Sequence, residues 1–187
     1  MIEYAGDFLK ESQMMVCASE RLQLRHLVDT DAAFILELLN DPDFIRNIAD
    51  RGVKTLEAAR EYILTGPTAS YERFGFGLFL VQSRDLAVPI GICGLLRRDS
   101  HPDVEIGFAY LPAFREKGYA FEAAAAVMKF GTESLRLRRI VALTAPENHA
   151  SMKVLEKLGF EFQGMLQLSE FARASKLFAR DHGEVAG

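Results

Sequence analysis

Hydrophobic and polar positions change their period along this chain, and the changes mark its elements. Leu22 and Leu24 alternate with Arg21, Gln23 and Arg25, the period-two pattern of a short strand. Asp29 or Thr30 can then cap a helix whose apolar stripe is Ala33, Phe34 and Leu38, and Asn40-Asp41-Pro42 stops it. Residues 44–48 read as a short helix. Thr55 caps another over 56–64, expected to end before Gly66-Pro67. The middle switches to strands. Apolar runs at 76–81, 90–96 and 104–111 are separated by turns at 84–89 and 99–102. Short connections of this kind predict an antiparallel meander. A loop over 112–118 leads into a long helix, about 119–135, with Phe121, Ala125, Met128 and Leu135 on one face. The small residues 123–126 suit close approach to a sheet. A strand over 139–144, a helix over 150–158 closed by Gly159, and strands over 160–166 and about 174–179 complete the pattern. Residues 1–19 are weakly periodic and read as a leader with a helical turn near 7–11, and 181–187 read as a frayed tail. The domain proper is 20–180.

Composition narrows the class. The chain has 187 residues, 49% apolar and 26% charged, which suits one domain with a real core rather than a disordered chain. A chain of this length buries roughly 70% of its extended surface. The net charge of −4 offers no broad basic field, so nucleic acid is not the expected partner. Cys17 and Cys93 lie far apart, with neither a CxxC pair nor a Cys/His cluster, so neither a metal site nor a disulfide framework is expected. No apolar run reaches the ~18 residues of a membrane span, and Glu3 and Asp7 precede any Arg, unlike a secretion signal. A soluble cytoplasmic protein is the expectation.

The informative stretch is strand, loop, helix, strand, helix from Glu105 to Phe160. At its centre Arg115-Glu116-Lys117-Gly118-Tyr119-Ala120 stands directly before a helix. A helix N-terminus carries unpaired N–H donors and a partial positive charge. Gly118 and Ala120 leave the backbone open to a ligand, and Arg115 and Lys117 add charge, so such a turn can wrap a phosphate or diphosphate. The hexapeptide alone reads equally as an ordinary helix start with a solvated basic pair. Neither GxxxxGK[ST] nor a GxGxxG after a strand is present, so any phosphate belongs to another carrier.

The order and spacing of several segments resemble the GNAT superfamily of N-acetyltransferases, in particular the ribosomal-protein alanine N-acetyltransferase branch. The segments are Glu20-Arg21-Leu22-Gln23-Leu24-Arg25, Asn40-Asp41-Pro42, Glu105-Ile106-Gly107-Phe108, the loop 115–120, Glu122-Ala123, Pro146-Glu147-Asn148, Ser151 and Leu155-Glu156-Lys157-Leu158-Gly159-Phe160. The resemblance implies a mixed α/β domain. Its central sheet is mixed but mostly antiparallel, with about seven strands flanked by helices, and it splays between the family's fourth and fifth strands. It implies acetyl-CoA as cosubstrate, its diphosphate held by Arg115, Glu116, Lys117, Gly118, Tyr119 and Ala120, and its pantetheine arm beside Phe108, Ala109 and Tyr110. A main-chain N–H of that strand would stabilise the tetrahedral oxyanion.

Single residues then take implied roles. Glu105 falls where relatives place a carboxylate that accepts the amine's proton, commonly through water; the alternative is a strand residue paired with a basic neighbour. Near pH 7 an α-amine is neutral in roughly one molecule in seven and a lysine in roughly one in 2,500, a gap of about 3.5 kcal/mol, so α-amines need less help from a base. Asn148 is placed beside the pantetheine arm and Ser151 near the sulfur, while both also suit a helix start. Leu155 stands where many relatives carry a tyrosine acid, leaving that role vacant; Tyr110 and Tyr119 are substitutes that packing explains more simply. Glu116 stands where many relatives carry Gly. His149 reads as a surface histidine, and Cys93 as core. The stretch Phe74-Gly75-Phe76-Gly77 either lines the acceptor slot or forms a turn over core phenylalanines.

The expected activity is direct transfer of acetyl from acetyl-CoA to a primary amine, first of all a protein N-terminal amine. Rivals are a free small amine such as a polyamine, amino acid or aminoglycoside, and a domain that holds acyl-CoA without catalysis. Homodimers occur among relatives, but nothing in the sequence marks an interface.

Overall fold

The computed structural model describes residues 15–168 and 174–183. The turn expected near 7–11 and the tail beyond 183 lie outside these. One sheet of eight strands runs in the order β1-β2-β3-β4-β5-β6-β8-β7. Its strands are β1 (Met15–Ala18), β2 (Leu22–Arg25), β3 (Leu78–Ser83), β4 (Pro89–Leu96), β5 (Val104–Tyr110), β6 (Arg139–Thr144), β7 (Glu161–Leu166) and β8 (Ser175–Asp181). Every neighbouring pair is antiparallel except β5 and β6. Between β2 and β3 come α1 (Ala32–Leu39), α2 (Pro42–Asn47), α3 (Leu56–Ile63) and α4 (Ala69–Phe74). The crossover from β5 to β6 carries α5 (Tyr119–Glu133), and α6 (His149–Lys157) follows β6.

The two faces of the sheet bury separate cores. Successive side chains on a strand point to opposite faces. Phe79, Val81, Cys93 and Leu95 therefore join Ala123, Val127, Met128, Met152 and Leu155 beneath α5 and α6. Leu80 and Ile92 join Ile35, Leu38, Phe44, Ala59 and Ile63 beneath α1, α2 and α3. Gly94 sits where β3 crosses closely: a Cβ there would stand 2.0 Å from the carbonyl oxygen of Gly77, so only glycine fits.

The mixed, mostly antiparallel sheet flanked by helices agrees with the expectation, and four details correct it. The sheet has eight strands rather than about seven, because the end of the expected leader pairs with β2 as β1. Gly66-Pro67 does not end the helical region: after α3 a wider π turn, Leu64–Thr68, takes in Pro67, and α4 follows. A proline lacks the N–H that tighter helical bonding would need, and the wider turn tolerates that loss. Strand β3 begins at Leu78 because Gly75, at φ 76°, turns the chain first. The helix stripes are shifted in register. In α1 the buried residues are Ala32, Ile35, Leu38 and Leu39. In α5 they are Ala123, Ala124, Val127, Met128 and Gly131, while Phe121 remains 40% exposed. The small residues let α5 lie close to the sheet, so the large side chain is turned outward.

Candidate functional site

The parallel pairing of β5 and β6 covers only Val104 with Ile140 and Glu105 with Val141. Beyond it the strands part and leave a V-shaped slot, the expected splay. Main-chain groups on a strand alternate between its two edges. The Leu111 N–H donates to the Ile90 carbonyl of the β4 side at 3.1 Å. By alternation, Ala109 and Gly107 turn their main-chain groups to β4, while Phe108 and Tyr110 turn theirs to the slot. The Tyr110 carbonyl already accepts from Arg115 Nε at 2.9 Å. Phe108, half-buried, thus offers both an N–H and a C=O to whatever enters. The mouth of the slot meets the N-terminus of α5, where the N–H groups of the first turn lack helical partners.

Loop 115–120 is held from two sides. The Arg115 guanidinium bonds the carboxylates of Asp41 and Asp43 at the start of α2. With Nε on Tyr110, its donors are committed to the protein, so Arg115 shapes the loop instead of presenting a free charge. On the other side Glu122, in the first turn of α5, accepts from Ser19 Oγ at 2.6 Å, Arg21 N–H at 2.9 Å and Arg21 Nε at 2.7 Å. Arg21 also donates to the Lys117 carbonyl at 3.2 Å and lies over the Tyr119 ring. Burial raises the Glu122 pKa, but the Ser19 and Arg21 donors outweigh it and hold the carboxyl below the ordinary glutamate range. Gly118 adopts φ 81° as it enters α5. Glu116 adopts φ 60°, a left-handed conformation that costs a side-chain-bearing residue about 1–2 kcal/mol. That geometry is the physical reason for a glycine at this place. Lys117 and Glu116 are exposed, and Ala120 and Tyr119 half-buried.

Glu105 stands at the vertex of the V, 6% exposed. The period-two alternation puts its side chain on the face of α1, α2 and α3, opposite α5 and α6. Its carboxylate takes Arg98 Nε at 2.5 Å and Nη2 at 3.4 Å. The basic neighbour expected as an alternative is therefore present, half-buried beside Glu105.

Asn148 caps α6, its Oδ1 accepting from the Ser151 N–H at 3.1 Å. Asn148 and Ser151 are half-buried and lie on the α5–α6 side, so they and Glu105 sit on opposite faces of the sheet. Leu155 is core. The Tyr110 hydroxyl donates to the Tyr119 carbonyl at 3.3 Å, and full burial pushes its pKa well up, which suits packing and not acid catalysis. His149 is exposed and Cys93 buried, as expected. Phe76 is buried and Phe74 stacks on it. Among the described residues, no group of three or more His, Cys, Asp and Glu could hold a metal ion.

Sequence reasoning gave no part to Arg98, Asp41, Asp43 or the partners of Glu122. Their contacts span 7 to 103 positions and leave no local periodic signal. An acidic residue in a first helical turn is also too common to stand out.

Two outcomes follow from this geometry. Glu116→Gly should raise the thermal midpoint by about 2–4 °C, as relief of about 1 kcal/mol would; a lower midpoint would contradict the strained turn. Glu122→Gln should lower the midpoint by a few degrees at pH 7. Because the folded pKa lies below the unfolded one, that contribution is present above about pH 4.3 and fades as pH falls through the folded value. Melts of both proteins from pH 7 to pH 3 should converge; a constant gap would refute the charge network.

Comparison with known proteins agrees with the geometry. Residues 21–161 match the family model described as an acetyltransferase (GNAT) domain. The chain is similar to the uncharacterized N-acetyltransferase YnaD of Bacillus subtilis, 29% identical over 153 residues that cover 82% of this chain and 86% of the relative. A stretch of 64 residues, 34% of this chain and 43% of the relative, is 44% identical to the aminoglycoside N(6')-acetyltransferase type 1 of Salmonella typhimurium. The fold superposes with TM-score 0.77 on RimL, a ribosomal L7/L12 alpha-N-protein acetyltransferase solved with coenzyme A, at 18% identity over 89% of this chain and 97% of that one. With the splayed sheet and the matched domain together, the chain belongs to the GNAT family and is an acetyltransferase.

Proposed function

We propose that the acceptor is the α-amine of a protein N-terminus and that acetyl passes to it directly inside the β5–β6 slot. The observation that carries this reading is the slot itself, left where β5 and β6 part after two paired positions. The α5–α6 face offers the features a CoA arm and diphosphate need: the unpaired Phe108 N–H and C=O, loop 115–120 and the free N–H groups of α5. Bound there, acetyl-CoA supplies a thioester whose acyl carbon forms the new amide bond as the carbon–sulfur bond breaks and sulfur leaves as thiolate. The remaining work falls to this chain's own residues.

In this reading Phe108 donates its N–H to the developing oxyanion, and Gly118, Tyr119 and Ala120 present main-chain donors to the diphosphate. Lys117 adds charge at the mouth, while Arg115 and Glu116 act through the shape of the loop. The Tyr110 N–H, also turned to the slot, extends the strand edge, while Ala109 turns its main chain to β4 and offers the arm no hydrogen bond. Asn148 faces the arm with its free amide, and Ser151 offers a hydroxyl to the departing sulfur. Glu105 receives the amine's proton from the opposite face, through water. Both its oxygens accept from Arg98, which takes two of its roughly four lone-pair sites and leaves the others for water. An α-amine, neutral far more often than a lysine, suits such a base. The similarity of fold to RimL, named for acetylating a protein α-amine, supports this choice. The second reading, a small-molecule amine, is favoured by the 64-residue similarity to an aminoglycoside acetyltransferase.

A thiol-release assay separates the two. Peptides with free N-termini should accelerate release from acetyl-CoA, and the same peptides with blocked N-termini and an internal lysine should not. Acceleration by aminoglycosides or polyamines alone would overturn the proposal in favour of the second reading. Glu105→Gln should lower kcat by roughly 100-fold or more, most strongly at low pH, and leave CoA affinity unchanged. An unaltered pH profile would remove Glu105 from the proton path.

A further inference from the structure

A second concave site lies away from the slot, in the groove between α5, the end of α6 and the end of β8. It is an open groove of about 480 Å³, a volume suited to a small molecule. Its apolar lining includes Met128, and Phe121 stands half exposed at one end. Lys129, Lys157, Arg180 and His182 supply the polar lining. The three cations Lys129, Lys157 and Arg180 stand out in a chain of net charge −4.

Several details make the groove a built site. Arg180 is fixed: its Nη1 donates to the Leu158 carbonyl at 2.5 Å, and its Nε lies 3.7 Å from where a Cβ on Gly159 would stand. Gly159 thus leaves room for the guanidinium, whose other nitrogens need partners. Lys157 forms no ion pair among the described residues. Lys129 has only an exposed contact with Glu133 at 3.9 Å, a pair worth little. The His182 main chain is held by Arg138, its N–H donating to that carbonyl at 2.7 Å. Its side-chain Nε2 is buried and has no hydrogen-bond partner among the described residues. Leaving a buried polar atom unpaired destabilises the fold, so an incoming group that bonds it removes that cost.

We propose that this groove binds a phosphorylated small molecule with a flat apolar body, the phosphate between Lys129, Lys157, Arg180 and His182 and the body along Met128 and Phe121. The basic end of the groove is remote from the diphosphate loop, while Phe121 at its other end follows Ala120 directly in the first turn of α5. Thr132, which lines the groove, lies 13 residues along α5 from Tyr119, about 20 Å at the helical rise. The proposal does not depend on the acceptor or on the slot chemistry.

The test is calorimetric titration of ADP into the full chain, alone and saturated with CoA. ADP should bind both forms, and the double variant Lys129→Glu/Lys157→Glu should weaken ADP by roughly tenfold or more while CoA binding stays unchanged. Lys129 and Lys157 are exposed, so the variant should fold, and an unchanged melting curve checks it. His182→Phe, which removes the orphan nitrogen, should also weaken ADP. Failure of ADP to bind at millimolar concentration overturns the proposal. So does binding that CoA abolishes, or binding that both variants leave intact.

Discussion

The structure depends on one interruption: β5 and β6 pair for two rungs and then part. Inside a sheet, such a parting leaves main-chain donors and acceptors without strand partners, which a fold tolerates only where water or a ligand takes their place. Here it occurs in the middle of an eight-stranded sheet with a core on each face. The crossover helix α5 leaves the open end and returns to the closed one. Its N-terminus is therefore set at the mouth of the slot by topology, before any side chain is considered.

The charged residues around the mouth work mainly on each other. Arg115 is spent on Asp41, Asp43 and the Tyr110 carbonyl, and Glu122 on Ser19 and Arg21. These pairs tie the first hairpin and the α2 cap, remote in sequence, to the loop that precedes α5. A loop rich in free main-chain donors would otherwise be a costly, mobile segment. The ties hold it in shape and leave N–H groups, rather than guanidinium, as its offering to an anion. Glu116 in a left-handed conformation is part of the same constraint: the turn is dictated by its surroundings and the residue conforms.

Much of the fold was legible in the sequence because its signals are local. The alternation of Leu22 and Leu24, the Asn40-Asp41-Pro42 stop, the Thr55 cap, the glycine after α6 and the β-branched run of β6 each specify their element within a few residues. Strand β1 escaped because four residues of mixed burial give too short a pattern. The π turn escaped because Gly-Pro is a strong breaker signal that a wider helical turn can absorb. The stripes of α1 and α5 were misread where a large residue such as Phe121 was assumed to face inward, while packing against a flat sheet selected alanine and glycine instead. In the site, the loop was legible as a helix N-terminus with small residues. The commitment of Arg115 was not, since its two carboxylate partners lie more than 70 positions away.

The most direct measurement is the amide NMR spectrum of the chain during titration with CoA. The largest shifts should fall on the amides of Phe108 and of Gly118, Tyr119 and Ala120, while the Ala109 amide, turned to β4, moves little. An unperturbed Phe108 amide under saturating CoA, or shifts confined to residues outside the slot and its loop, would contradict the central claim that the open β5 edge and the α5 N-terminus hold the acyl donor.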